Sequence, residues 1–280
     1  MKKYYYILPF VLACLCIPFL ASCDDEDDGS GDPSTETSIV NPSKVFTAGL
    51  PSMVGGNKIV TDEKGRVVRL EREDLLVTFD YSALTRAAKA DVVMTIEDDG
   101  DIVVCNLTLN DQGFVSFCDE NSHSELDGDE HQTWKFTYDS SGHLTKMVRS
   151  EGGNETTTIT WVNGDITDVR TVSEEDPEDS SHYTLNYEMY AFDENGEVEE
   201  AKLIDNVASV MFFDEMFGID MDEMTHAYWA GLLGKATKHL PSSLYDEEDQ
   251  STTFFSWRWD DDYRPTAFSF EEGRYYKIVW

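Results

Sequence analysis

From about residue 59 to its end, this chain alternates apolar and polar residues with a period of two. At intervals a short polar turn holding a glycine interrupts the pattern. The clearest copy runs Trp134-Lys135-Phe136-Thr137-Tyr138, turns at Asp139-Ser140-Ser141-Gly142, and returns through His143-Leu144-Thr145-Lys146-Met147-Val148. The period puts Trp134, Phe136 and Tyr138 on one face of a strand and Lys135 and Thr137 on the other. Asn-Gly and Asp-x-x-Gly turns supply the positive φ that a tight hairpin needs. Further copies turn at Asp62-Glu63-Lys64-Gly65, Asp98-Asp99-Gly100, around Gly113, at Asn163-Gly164, Asp193-Glu194-Asn195-Gly196 and Asp260–Pro265. One hairpin is marginal in water, but hairpins in series bury a shared face. Their irregular spacing argues against a propeller or solenoid. The predicted fold is mainly β: an antiparallel meander of hairpins forming a curved sheet or barrel.

One stretch, near residues 206–240, lacks the alternation and predicts a helical insert. Asn206 is placed to cap a helix through Val207–Phe213, stopped at Gly218. Asp220-Met221-Asp222-Glu223 is placed to start a second, running to about Lys238, with Pro241 barring continuation. Met221, Met224, Tyr228 and Leu232 form an apolar stripe on it. The pair reads as a plug or lid over an open sheet face or barrel mouth.

The N-terminus carries a different signal. Lys2 and Lys3 precede an apolar run, Tyr4–Leu20, too short and too early for a stable membrane span. Leu20-Ala21-Ser22-Cys23 then resembles the lipobox of bacterial lipoproteins. That resemblance implies cleavage before Cys23 and acylation of its thiol and new amino group. Asp24-Asp25-Glu26-Asp27-Asp28 is similar to the acidic export signal of surface lipoproteins in Bacteroidota-type bacteria. The expected organisation is a signal peptide over 1–22, an acidic flexible tether over 23–42, and a single β-rich domain over 43–280. The tether's Gly, Ser, Pro and Thr cannot bury enough apolar surface to order it. The expected location is the outer membrane, lipid-anchored and facing the cell exterior.

The chain carries 21 Lys+Arg against 56 Asp+Glu, a formal net charge of −35. That excludes nucleic acid as a partner, because phosphate contacts need cations. It also opposes adhesion to an anionic membrane surface, so acyl chains at Cys23 must do the anchoring.

Of five cysteines, Cys14 and Cys16 leave with the signal and Cys23 is acylated, which leaves Cys105 and Cys118. They flank Asn110-Asp111-Gln112-Gly113. A loop of two or four residues would set Cys105 directly opposite Cys118, with Cα atoms about 4.5–5.5 Å apart, within the reach of a disulfide. A three-residue loop would put the sulfurs on opposite faces. The alternative is two small buried hydrophobes.

Motifs for chemistry are missing. There is no Gly-x-Ser-x-Gly, no His-Glu-x-x-His, no Cys-x-x-Cys and no glycine-rich phosphate loop. The six histidines are scattered, each reading as a surface or turn residue. Asp98-Asp99-Gly100-Asp101, Asp127-Gly128-Asp129 and Asp260-Asp261-Asp262 are the better calcium candidates, although turn acids need no ion. No catalytic, metal or cofactor residue is assigned. With 56 acids some carboxylate pair always falls within reach of another, so a pair matters only if buried in a cleft. The most suggestive ligand feature is aromatic: Phe255, Trp257 and Trp259 share one strand face, followed by Tyr263. Exposed, they would stack on sugars; turned inward, they are core, the reading favoured by polar Ser256 and Arg258 opposite.

Taken together, the Tyr-Asp-x-x-Gly hairpins, the insert ending Gly231–Pro241 and the lipobox resemble a group of Bacteroidota lipoproteins. These belong to a domain family of unknown function described as porin-like in fold. The resemblance covers roughly residues 45–280. It implies an antiparallel barrel-like sheet and lends no catalytic residues. Tyr276–Trp280 is also similar to the aromatic C-terminal signal of outer-membrane barrels. A lipid-facing band, however, needs about nine to eleven residues per strand, and the strands read shorter. The functional expectation is a lipid-anchored envelope protein with a binding or scaffolding role toward a glycan or an envelope protein. The alternative is a glycan-acting hydrolase using a buried carboxylate pair.

Overall fold

The turn signals within the described residues become hairpins in the computed structural model, which describes residues 40–82, 90–125, 128–150, 153–175, 180–192, 198–271 and 274–280; Asp193-Glu194-Asn195-Gly196 lies outside them. The strands are β1 (Met53–Val54), β2 (Asn57–Thr61), β3 (Val67–Glu71), β4 (Leu75–Asp80), β5 (Val92–Asp98), β6 (Asp101–Leu109) and β7 (Val115–Ser124). There follow β8 (Gly128–Tyr138), β9 (Leu144–Arg149), β10 (Glu155–Val162), β11 (Asp165–Ser173), β12 (Ser181–Asn186), β13 (Glu188–Phe192) and β14 (Val198–Leu203). The chain ends in β15 (Ser243–Asp246), β16 (Ser251–Phe254), β17 (Ser256–Trp259), β18 (Pro265–Glu271) and β19 (Arg274–Val279). All but β13 and β14 join one 17-stranded antiparallel sheet. β1 pairs with both β2 and β19, and β9 with β10, so the sheet wraps into a nearly closed barrel. β13 and β14 form a separate hairpin.

Four turns share one construction. Asp62, Asn110, Asp139 and Asp260 each donate a backbone N–H to the carbonyl four residues on, and each carbonyl accepts from the N–H three residues on. Their side-chain oxygens accept the N–H groups two and four residues ahead. The residue three ahead takes a positive φ: Gly65, Gly113, Gly142 and, unusually, Tyr263. Each loop is therefore three residues long and is followed by a register shift. The loop inverts the facing of the partner strand and the bulge restores it. Among the carboxylates, burial acts to raise Asp62. The Arg66 guanidinium and the N–H groups it faces outweigh that and hold it below the ordinary range. Asp62→Ala is thus expected to cost about 1–2 kcal/mol near neutral pH. The depressed carboxyl stabilises the fold above the unfolded value near 3.8, so the loss should vanish as pH falls through the native value. Urea denaturation over a pH series from 7 down to 2 checks it.

The barrel is apolar inside and polar outside. Trp134, Phe136, Met147, Ile159 and Val169 point inward and are buried. Lys135, Thr137, Lys146, Thr158, Thr160 and Arg170, which alternate with them, are exposed. The interior is filled by residues 206–242. That segment is a plug, as expected, but its helices are far shorter than the periodicity predicts. Only α1 (Phe213–Phe217), a 3-10 turn over Asp222–Thr225, and α2 (His226–Trp229) form. Asn206 caps no helix. Its Oδ1 accepts from Val210 N–H and its Nδ2 donates to Val210 O. Beyond α2 the barrel itself supplies partners for the plug backbone. Val115 N–H donates to Leu232 O, Lys235 N–H to Gly142 O, and Lys238 N–H to Gly164 O. These bonds replace the i→i−4 ladder that helix propensity anticipated. Met221, Met224, Tyr228, Leu232 and Leu233 are all buried. Val40 and Pro42, counted with the tether by composition, are buried as well. Among the described residues no helix is long and apolar enough to cross a membrane.

Candidate functional site

Where β6, β7 and β8 run past the plug, their inward side chains change character. Along β7 the inward face reads Val115, Cys118, Glu120, then half-buried Ser122 and Ser124; along β8 it reads Phe136, Trp134, then half-buried Gln132 and exposed Glu130. The apolar part covers the plug and the polar part walls a cleft of about 560 Å³. Asp101, Glu120, Ser122, Glu130 and Gln132 line its wall, and Asp222 and Glu223 of the plug lie at its base. A second hollow of about 390 Å³ continues it along Asp98, Asp99, Asp101 and His226. Among the described residues no Lys or Arg lines either hollow.

Two groups in the cleft are held with care. Glu120 is 3% exposed. Trp134 Nε1 donates to its Oε2 at 2.8 Å and Gln132 Nε2 to its Oε1 at 2.7 Å. Asp222 has φ +42° and accepts from Arg149 Nη1 at 2.8 Å, while Arg149 Nη2 reaches Asp220 at 3.0 Å. Burial first, then a hydrogen bond with Asp220 and its charge, pushes the Asp222 carboxyl up to about 7 against the pull of Arg149. His226 is pushed down to about 4 by burial and then by the charge of Arg72, so it is neutral at physiological pH.

The predicted site residues separate. Cys23 lies outside the described residues, as does the rest of the signal and the acidic block. The three-residue loop at Asn110 and its bulge correct the register expected for the cysteines. Cys105 pairs with Glu120 and Cys118 with Leu107. Both sulfurs face inward as diagonal neighbours, buried, with free thiols. The aromatic row divides. Phe255 is buried, and Trp257 packs its ring 4.7 Å from Phe268 while its Nε1 donates to Pro241 O. Trp259 and Tyr263 are exposed. The turn acids Asp98–Asp101 and Asp260–Asp262 close hairpins, and Asp127 falls outside the described residues. Five of the six histidines face a carboxylate: His123–Asp129, His131–Asp119, His143–Asp139, His182–Asp168 and His239–Asp165. Sequence reasoning missed Glu120 as an individual; its signal was a carboxylate in phase with Cys118 on the inward face.

Comparison with known proteins gives the frame for this geometry. The family model described as a domain of unknown function (DUF4595) with porin-like fold matches residues 59–274. Among solved structures, a porin-like protein from Bacteroides uniformis ATCC 8492 is similar at 17% identity and a TM-score of 0.51, covering 79% of this chain and 89% of its own. A porin-like protein from Bacteroides vulgatus ATCC 8482 is similar at 14% identity and a TM-score of 0.49, covering 82% and 98%. No curated protein matches.

Proposed function

The chain belongs to the family described as a domain of unknown function (DUF4595) with porin-like fold, and on that premise we propose a lipid-anchored envelope protein with a binding role. One observation carries the reading: the barrel wall is polar outward and its lumen is plugged. A membrane-spanning barrel needs an apolar outer band of about 25 Å. Here Lys135, Lys146 and Arg170 stand on the outer face, where each would cost about 2–4 kcal/mol at a bilayer midplane. A porin-like sheet of this polarity sits beside the membrane, and the lipobox-like Cys23 supplies its attachment. The acidic block after Cys23 supports display on the outer surface.

Metabolic labelling with an alkyne fatty acid tests the anchor. Wild type is expected to carry the label, and Cys23→Ala to lose it and leave the membrane fraction. An unlabelled wild type overturns the anchor.

The cleft is the binding site in this reading. Its serines, Gln132 and carboxylates suit the hydroxyls of a neutral glycan, and its charge repels anionic polymers. The runner-up, a glycan-acting hydrolase, would draw on Glu120 and Asp222, which share the cleft. Both carboxyls already engage Trp134, Gln132 and Arg149, which favours binding over proton transfer. The full chain in detergent is expected to retain neutral polysaccharides on an array and to pass acidic ones. Retention of acidic polymers alone overturns the ligand class, and release of new reducing ends replaces binding with hydrolysis.

A further inference from the structure

Beneath the cleft, three metal-ligating side chains converge where the barrel wall meets the plug. Cys105, Cys118 and Glu120 are 0%, 0% and 3% exposed. One ligand atom from each lies within 4.8 Å of the other two. We propose that Cys105, Cys118 and Glu120 form a site for a single thiophilic divalent cation of the zinc class.

The register created it. The three-residue loop would have sent the two sulfurs to opposite faces, and the bulge at Thr108/Leu109 brought them back on a diagonal. A diagonal pair has Cα atoms about 7–8 Å apart, at or beyond the usual reach of a disulfide. A metal needs no such closeness. With metal–sulfur near 2.3 Å and metal–oxygen near 2.0 Å, a tetrahedral site has S···S edges of about 3.8 Å and S···O edges of about 3.5 Å. Cys105 Sγ lies 3.8 Å from Glu120 Oε2.

The setting of Glu120 points the same way. A buried carboxylate at the boundary between the apolar wall and the polar cleft is costly unless it is hydrogen-bonded or ligates a cation. Trp134 and Gln132 supply neutral donors only, and among the described residues no Lys or Arg lines the cleft that Glu120 faces. Those donors do what the outer shell of a metal site does: they fix the ligating carboxylate. Gln132 Oε1 is buried and accepts no hydrogen bond. A water on the cation's fourth, cleft-facing position would donate to it. Binding balances as one cation plus two thiols and one carboxylate giving a dithiolate–carboxylate complex of charge −1 and two protons, which pass to solvent through the cleft. Both thiols must give up a proton before they can ligate, so affinity should climb with pH.

Titration of the reduced full chain with Co²⁺ reads the site directly, since thiolate ligation gives a charge-transfer band and tetrahedral geometry gives intense d–d bands. One equivalent of Co²⁺ is expected to produce both, and one equivalent of Zn²⁺ to abolish them with release of two protons. Cys105→Ser and Cys118→Ser should each weaken affinity by at least about 100-fold, and Gln132→Ala by about 10–100-fold. Near-UV circular dichroism verifies that each variant is folded. The wild-type titration stands even if a variant is not. Absence of the charge-transfer band in folded, reduced wild type overturns the proposal. So does a band that survives in the Cys105→Ser/Cys118→Ser double variant, or affinity unchanged in Glu120→Gln.

Discussion

Replacing Gly234 by alanine is expected to destabilise the barrel by about 3 kcal/mol, the sum of a strained backbone and a forced contact. Gly234 sits in the plug at φ +88°. An added Cβ would lie 2.7 Å from the carbonyl oxygen of Gly142 and 3.0 Å from the Tyr138 ring. That carbonyl is no passive neighbour, since it accepts the N–H of Lys235 at 2.9 Å and so sets the plug against the β8–β9 turn. Relief would require moving the turn or breaking that bond. Gly65 is the matched control. It has φ +76° with open space around it, so Gly65→Ala should cost only the backbone strain, about 1–2 kcal/mol. Guanidinium denaturation of the two variants measures the difference. Equal losses would mean that the plug yields freely at Gly234, contrary to a lumen packed around it.

The same residues show what the sequence could and could not say. Asp62, Asp139 and Asp260 announce their turns because the turn is local: one carboxylate and a residue of positive φ within five positions close it. The bulge that follows each turn left no mark, and it decided whether Cys105 and Cys118 share a face. The plug's location was legible from lost alternation. Its helices were overdrawn because Gly142, Gly164 and Val115, far away in sequence, claim its backbone. Trp257 packs partly buried against the core, while Trp259, two residues on, stays outside because the strand ends there in a turn. Glu120 was hidden by abundance. Among 56 acids only burial singles it out, and burial is a property of how the barrel closes.

Arg149 is the second place where one substitution should act strongly, and its effect should depend on pH. The guanidinium is 13% exposed, holds Asp220 and Asp222, lies 3.6 Å from Glu155, and sits 5.5 Å above the Trp134 ring. It counters the burial and the Asp220 contact that push the Asp222 carboxyl up to about 7. The sign follows from the two states. Unfolded, Asp222 titrates near 3.8; folded, near 7. The folded state binds the extra proton, so this group costs stability progressively as pH rises from about 4 to about 7. Without Arg149 the folded value climbs further and the cost above neutrality grows. Arg149→Ala should therefore lose about 2 kcal/mol at pH 8, a buried ion-pair loss reduced because Asp220 and Asp222 are partly solvated. At pH 5, where Asp222 is already protonated, the loss should be less than half as large. Arg149→Lys keeps the charge without the fork that spans both carboxylates, and should fall between. Urea denaturation at the two pH values separates the contributions. A loss of the same size at both would remove Asp222 from the account and leave Asp220, Glu155 and the Trp134 ring as the partners that matter.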